Sequence, residues 1–349
     1  MSLTRWTLTA ATLFLLSSDA SSQELQRPDP LFQSHDVLDV RIVAPLSTIL
    51  SERPFDEELP ASFRYTNSAG AAIELDIEMR TRGRFRRQKD ICDFPPMRLN
   101  FKASQTNGTL FHKQDKVKLV THCRAAERYT QALLREYMAY RILNTLTDIS
   151  YRVRLLRITY IDTEKNRRKI TQYGFIIEHR ERLARRIKLP ALEISRTSVG
   201  ALDPEYTNLI SLYHYLIGNT DFSPILGVKG ETCCHNHVLF GVQGEPLKSV
   251  PYDFDQSGLV YAPYSVPNAR FRLRDVRQRL YRGRCVNNSL IVTTIARYQD
   301  ARDAVMRVVT ELDMVSARSK KMTASYLNKF YKTLDSERRI KNAFVRKCF

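Results

Sequence analysis

The chain has 349 residues, of which 43% are hydrophobic, and a formal net charge of +18. A chain of this size and composition can bury a substantial core, as one large two-part domain or as two domains. The positive charge favours an anionic partner such as nucleic acid, a phosphorylated or acidic polymer or an anionic membrane surface, or it is simply a solvated basic surface. No nucleic-acid-binding motif accompanies the basic clusters, so we do not expect a nucleic-acid partner.

The first twenty residues have the pattern of a secretory signal peptide. Arg5 precedes a mostly apolar run over residues 6–16, and small residues follow up to Ala20. The run is too short to cross a hydrocarbon core of roughly 30 Å, which argues against a membrane anchor. We therefore expect cleavage near Ala20, export to the periplasm or beyond the cell, no transmembrane segment, and a flexible lead-in over residues 21–35.

Six cysteines form an even set, which suits disulfide pairing in an oxidising compartment. They are Cys92, Cys123, Cys233, Cys234, Cys285 and Cys348. The sequence alone does not choose among the possible connectivities. We suggest Cys92 with Cys123, because both flank predicted strands of one sheet; buried free thiols are the alternative.

Alternating strand patterns dominate the first half of the chain. Apolar and charged residues alternate over residues 73–80, after a turn at 67–70, and similar patterns follow over residues 97–102 and 116–120. A period of two sends the polar members of each strand to one face. We expect a basic sheet face, suited to phosphate or merely solvated, made of Arg80, Arg82, Arg98, Lys102, Lys116 and Lys118.

Helical patterns follow the strands. Apolar residues at every fourth position predict a helix over about residues 125–146, and two more strands follow near 151–161 and 170–178. Asp203 has the place of an N-cap before a helix that ends at Gly218. The residues from 289 onward are helical and charged in pattern.

Strands first and helices last predict an α+β fold. We expect a β-rich N-terminal unit with one helix over residues 36–185. A mostly helical C-terminal unit over residues 186–349 would carry an acidic site.

Three polar segments in the second half have the residue types that phosphoryl transfer uses. They are Asn219-Thr220-Asp221, the segment around Asn236, and Asp253-Phe254-Asp255. Such chemistry needs a carboxylate that orients the attacking hydroxyl, and an amide and a carboxylate that hold a divalent cation on the phosphates. In this interpretation Asp221 is the catalytic base, Asn236 and Asp253 bind Mg²⁺ or Mn²⁺, and Asp255 is a further ligand or supports one.

The order of these segments resembles the spore-coat protein H (CotH) kinase-like family and, more distantly, other atypical protein kinases. The first half adds similar segments at residues 80–83, 96–101, 133–135 and 173–178. The resemblance covers about residues 75–260. It implies a two-lobed kinase-like fold that binds ATP with Mg²⁺ or Mn²⁺ between its lobes and transfers phosphate to a protein or another hydroxyl acceptor.

The chain departs from the kinase pattern in three places. Asp221 and Asn236 are 15 positions apart, whereas an ordinary kinase loop separates these residue types by about five. No glycine-rich phosphate loop is visible, and Asn100 stands where the family tends to have lysine. The candidates for the phosphate-binding cation are Lys102, Lys118 and then Arg82, and Glu178 or Glu136 would orient the chosen lysine.

Two other functions remain open at the level of sequence. Cys233, Cys234, His235 and His237 offer soft ligands for Zn²⁺, although adjacent cysteines chelate one tetrahedral ion poorly. A kinase-shaped protein without catalysis would bind an anionic glycan, a lipid headgroup or a partner. No nucleophile elbow of a hydrolase is recognisable.

Overall fold

A computed structural model describes residues 25–165, 169–228 and 230–349. The predicted signal peptide and its cleavage position lie outside the described residues. Within those ranges no helix has the length and apolar character needed to cross a membrane.

Strands dominate the first half of the described chain and helices the second, as the sequence periods predict. The strands are β1 (Leu38–Ala44), β2 (Leu59–Thr66), β3 (Ala72–Thr81), β4 (Met97–Phe101), β5 (Lys116–Val120), β6 (Val153–Asp162), β7 (Ile170–Ile177), β8 (Ala191–Leu192), β9 (His237–Phe240) and β10 (Lys248–Pro251). The α-helices are α1 (Leu46–Glu52), α2 (Ala103–Thr106), α3 (Glu127–Leu146), α4 (Arg180–Ile187), α5 (Pro204–Ile217), α6 (Ile291–Asp300), α7 (Arg302–Thr310), α8 (Ala317–Leu334) and α9 (Glu337–Ile340).

The first seven strands close into a barrel in the order β1-β2-β3-β4-β5-β7-β6. The closing pair is β1 with β6, which run parallel from Leu38 opposite Leu156 onward. Apolar side chains fill the interior, where the rings of Phe63, Phe101 and Phe111 have centroids 4.8–5.4 Å apart. The alternation of each strand therefore places one face in a packed interior and leaves the other on the outside.

The predicted α+β class is confirmed. The strands, however, form a closed barrel and not a clearly two-lobed kinase architecture. The parallel pairing of β1 with β6 closes the sheet into a barrel. In addition, α3 packs in one hydrophobic core with α5–α8 and the outer faces of β6 and β7. This core has members on both sides of residue 185, where we placed the boundary, and the N-terminal part contains α1 and α2 as well as α3.

The helix predicted over about residues 125–146 agrees closely with α3, which spans Glu127–Leu146. Leu134, Met138, Ile142 and Leu146 of α3 are 2% exposed or less. The described part of the predicted flexible lead-in differs, because Leu31 and Phe32 are buried in the core of the barrel. Residues 30–32 are therefore packed against the barrel, and the prediction of a flexible lead-in is wrong for them.

Three disulfides join the six cysteines, which suits an oxidising compartment. The suggested pair of Cys92 with Cys123 is confirmed, and it joins the loop after β3 to the arm that leads into α3. Cys285 pairs with Cys348 near the C-terminus, and Cys233 pairs with its neighbour Cys234.

Candidate functional site

A cleft of about 780 Å³ lies between the loop after β3 and the ends of α5, β9 and β10. Six of the predicted site residues line it, from both halves of the chain: Arg82, Lys118, Asp221, Asn236, Asp253 and Asp255. A second cavity of about 450 Å³ shares Lys118 and Tyr252 with the cleft and extends to the end of β7.

Asp221 is placed by the end of α5. Gly218 has a φ of +65°, a backbone conformation that glycine adopts without strain, and the chain reverses there. The N–H of Asn219 then donates to the carbonyl of His214 at 2.8 Å. The side chain of Asn219 accepts the N–H of Asp221 at 2.9 Å, which fixes the backbone from which the carboxylate projects.

The long interval between Asp221 and Asn236 is a loop whose two ends meet. Ser223 donates its N–H to the carbonyl of His235 at 3.0 Å and closes the loop. The amide nitrogen of Asn236 consequently reaches Asp221, donating to its carbonyl at 2.7 Å and its carboxylate at 3.1 Å. The unusual spacing therefore does not separate the two side chains in space.

Asp253 reaches the same place through a β-hairpin. Pro251 of β10 lies opposite His237 of β9, and Tyr252 donates its N–H to the carbonyl of Asn236 at 2.9 Å. Asp253 follows at once, with its N–H donating to the hydroxyl of Tyr140 at 2.8 Å. The open end of the hairpin thus sets the predicted amide and carboxylate side by side.

A buried arginine joins the acidic segment to the helix α3. Arg86, from the loop after β3, lies 3.2 Å from Asp255, 3.6 Å from Glu136 of α3 and 3.8 Å from Asp253. Burial raises the pKa of Glu136 to about 8 and that of Asp255 to about 7, and the Arg86 guanidinium opposes both shifts. One guanidinium faces three carboxyl groups, and the raised pKa values of two of them reduce the negative charge of the cluster near neutral pH.

His235 is the second neighbour of the Asp221 carboxylate. Its Nε2 lies 2.9 Å from Asp221 Oδ1. This hydrogen bond raises the pKa of His235, while partial burial opposes the rise. Together His235 and Asn236 fix the orientation of the carboxylate and leave it on the wall of the cleft.

The basic sheet face predicted from the strand periods borders the cleft. Arg80 of β3 lies opposite Arg98 of β4, which lies opposite Lys118 of β5. The Lys118 ammonium is 4.3 Å from the ring centroid of Tyr252, so the barrel contacts the acidic segment there. Burial and the neighbouring Arg82 lower the pKa of Lys118 to about 7, against the opposing effect of Asp253.

Two of the proposed cofactor-binding residues lie elsewhere. Lys102 is exposed at the start of α2 and does not line the cleft. Glu178 borders the smaller cavity, but its carboxylate pairs with the buried Arg186 at 2.9 Å. Glu178 therefore binds an arginine in the last turn of α4 rather than a lysine. Among the cation candidates, Lys118 and Arg82 line the cleft.

The alternative zinc site does not form. Cys233 and Cys234 are joined to each other, and His237 points into the core, with Nε2 2.9 Å from His214 Nε2. Burial lowers the pKa of His237 to about 3, so this pair of rings is neutral. No group of three or more His, Cys, Asp or Glu side chains suited to a metal occurs in the described ranges.

Asn236 and Asp253 nevertheless fit a hard cation that phosphate oxygens help to coordinate. The amide nitrogen of Asn236 is bonded to Asp221, which leaves its carbonyl oxygen as the acceptor. The Asp253 side chain is 33% exposed. Mg²⁺ in nucleotide sites commonly takes only one or two protein oxygens and completes its shell with phosphate and water.

Sequence reasoning assigned no role to Arg86 or Tyr252, and it considered His235 only as a zinc ligand. Arg86 stood within the basic cluster after β3, but spacing could not show which arginine turns inward. His235 was grouped with the cysteines because it is adjacent to them. Tyr252 directly precedes Asp253, and its ring forms a wall shared by both cavities.

No protein-family model matches the chain, and no curated protein matches it at a significant level. The kinase-like family therefore remains a resemblance carried by short segments. The assignment of a function has to rest on the geometry of the cleft.

Proposed function

We propose that the protein is an exported, kinase-like phosphotransferase that uses ATP with Mg²⁺ or Mn²⁺. The observation that carries the proposal is the placement of Asp221, its hydrogen-bond partner Asn236 and Asp253 on one wall of a cleft whose other wall is basic. Phosphoryl transfer depends on positioning and on charge stabilisation, and this arrangement supplies both.

The base and the phosphates of a bound nucleotide would occupy different cavities. The smaller cavity, lined partly by Tyr151, Ile177 and Leu192, would take the base. Lys118 stands between the two cavities, so the phosphates would pass it and enter the larger cleft beside Arg82. Two cations at this point would offset phosphate charge in a partly desolvated site.

The acidic wall would act on the metal and on the acceptor. Asn236 and Asp253 would hold the metal ion, which when bound neutralises charge on the phosphates. The Asp221 carboxylate would orient the acceptor hydroxyl and receive its proton. The hydrogen bonds from His235 and Asn236 keep that carboxylate in place without a rearrangement during the reaction.

Replacing Asp221 by Asn tests the catalytic step. A positioned general base contributes roughly 10²–10⁴ in rate, so Asp221→Asn should lower kcat by about that factor and leave nucleotide affinity nearly unchanged. The measurement is phosphate transfer from labelled ATP to the protein and to added acceptors. Equal turnover by the variant would exclude Asp221 as the base, and a large loss of nucleotide affinity would assign it to binding.

A non-catalytic binding protein is the second candidate, favoured by two observations. Arg86 already neutralises part of the charge on Asp253 and Asp255, and Asn100 bonds Glu58 at 2.6 Å outside the cleft. Such a protein would bind an anionic glycan, lipid or partner with strong salt dependence and without a divalent metal. Metal-independent ligand binding with no turnover would support this candidate.

A further inference from the structure

The segment that follows the acidic site is strongly basic and forms one side of the cleft mouth. Between residues 266 and 284 the only acidic residue is Asp275. The basic residues are Arg270, Arg272, Arg274, Arg277, Arg279, Arg282 and Arg284. Residues 266–269 of this segment line the cleft itself.

Backbone carbonyl groups hold two of these arginines in place. Arg279 donates to the carbonyls of Tyr215 at 2.9 Å and Tyr326 at 2.7 Å. Arg282 donates to the carbonyl of Phe222 at 2.7 Å. In the part of the chain that the structure describes, no guanidinium of this segment forms an ion pair within 4.0 Å. Neutral carbonyls fix the segment while its positive charge remains uncompensated.

The uncompensated charge lies next to the proposed base. Arg282 and Asn268 both donate to the carbonyl of Thr220 at 3.1 Å, one residue before Asp221. Burial, Arg284 and Arg270 together lower the pKa of Arg282 to about 10, and Asp221 opposes them. Positive charge of this segment therefore lies beside Asp221.

Apolar side chains share this surface. Val266 is 65% exposed at the cleft and Val286 is 77% exposed. The ring centroids of Phe271 and Phe349 are 6.2 Å apart, and the disulfide of Cys348 holds the C-terminal residue there. A surface that mixes guanidinium groups with exposed apolar side chains suits a polypeptide better than a uniformly polar glycan.

We propose that the acceptor is an acidic polypeptide segment whose carboxylates bind the exposed Arg270, Arg272 and Arg274. Its serine or threonine hydroxyl then lies beside Asp221. In the transfer step the hydroxyl oxygen forms a bond to the γ-phosphorus, the bond from that phosphorus to the β,γ-bridging oxygen breaks, Asp221 takes the hydroxyl proton, and ADP leaves. The transfer rests on the proposed function, whereas binding of the peptide does not require turnover.

The test compares three fluorescent probes by anisotropy with the purified, oxidised protein. They are a serine peptide flanked by glutamate and leucine, the same peptide with lysine for glutamate, and a polyuronate oligosaccharide. The variant Arg270→Gln/Arg272→Gln/Arg274→Gln removes the exposed charges. The matched control Arg318→Gln/Lys321→Gln/Lys329→Gln removes three charges from α8, outside the cleft lining.

We expect the acidic peptide to bind at least tenfold more tightly than the other probes. The arginine variant should lose about 10- to 100-fold in affinity, as three partly exposed ion pairs allow, and the control should lose little. Equal loss in both variants, or no preference for the acidic peptide, would overturn the proposal. Tighter binding of the polyuronate would replace the peptide with a glycan.

A separate titration of ATP distinguishes this inference from the proposed function. The arginine variant should bind ATP as the unmodified protein does. If neither protein binds ATP but the acidic peptide binds as expected, the kinase function fails and the peptide site stands. If both bind ATP and the peptide preference is absent, the acceptor class is wrong and the kinase proposal is unaffected.

Discussion

Lys118 has an environment that changes its usual charge behaviour. Its ammonium lies over the ring of Tyr252 and near Arg82, and burial together with that neighbour lowers its pKa to about 7. Near neutral pH the group is consequently only partly protonated. An entering phosphate favours the protonated form, because the opposite charge stabilises the ammonium.

Nucleotide binding should therefore take up a proton at Lys118 above pH 7. Affinity for ATP should fall between pH 7 and pH 9, by at most about tenfold for each pH unit. Lys118→Met should bind ATP more weakly and with a flatter pH dependence, measured by calorimetry in buffers of different ionisation enthalpy. Lys116→Met, at an exposed position of the same strand, should retain the slope of the unmodified protein. An unchanged slope in Lys118→Met would contradict the assignment.

Some individual roles could be predicted from the sequence, and others could not. Residue type and order singled out Asp221, Asn236 and Asp253, which line one cleft, and their roles stay predictions. Lys102 and Lys118 both continue the alternation of a predicted strand, but β4 ends at Phe101, so Lys102 lies at the start of α2 while Lys118 lies within β5. The role of Glu178 depends on a contact with Arg186, which the strand pattern does not contain.

Elements with local signals were predicted accurately. Asp203 accepts the N–H of Tyr206 at 2.8 Å, and Gly218 ends α5, as their positions in the sequence indicate. The barrel was missed because its closure depends on the parallel pairing of β1 with β6, about a hundred residues later. Parallel pairing of distant strands leaves no pattern in either strand alone.

The disulfide between Cys92 and Cys123 connects two elements that shape the cleft. It joins cysteines 31 positions apart and holds the loop that carries Arg82 and Arg86 against the arm before α3. A cross-link of this length stabilises a protein mainly by restricting its unfolded chain.

Removing this disulfide should affect both stability and binding. Cys92→Ala/Cys123→Ala should lower the free energy of unfolding by about 3–4 kcal/mol, measured by urea denaturation. The same variant should bind ATP more weakly, because the loop that carries Arg82 and Arg86 is no longer cross-linked. Cys285→Ala/Cys348→Ala should also lose stability but keep its affinity for ATP. Equal ATP affinity in both double variants would show that the first disulfide does not shape the cleft.

At the scale of the whole molecule, part of the net charge of +18 is concentrated in two basic regions near the cleft. The basic face of the barrel and the arginine segment after the acidic site border the same cleft, with the carboxylates between them. Composition predicted an anionic partner, and the fold indicates where two such partners would meet. The cleft could not be derived from composition, because it is assembled from segments that are distant in the chain.

The most direct test is a calorimetric titration of ATP into the oxidised protein, with Mg²⁺ and with EDTA, beside Asp253→Asn. Asparagine tolerates the left-handed backbone that Asp253 adopts at φ +61°, so the variant removes a charge with little strain. Asp313→Asn, at an exposed turn, is the matched control.

We predict metal-dependent binding by the unmodified protein and the control, and a loss of at least about 100-fold in Asp253→Asn. Binding that is equally strong in EDTA, or unchanged in Asp253→Asn, would contradict the metal-nucleotide site on which the account rests.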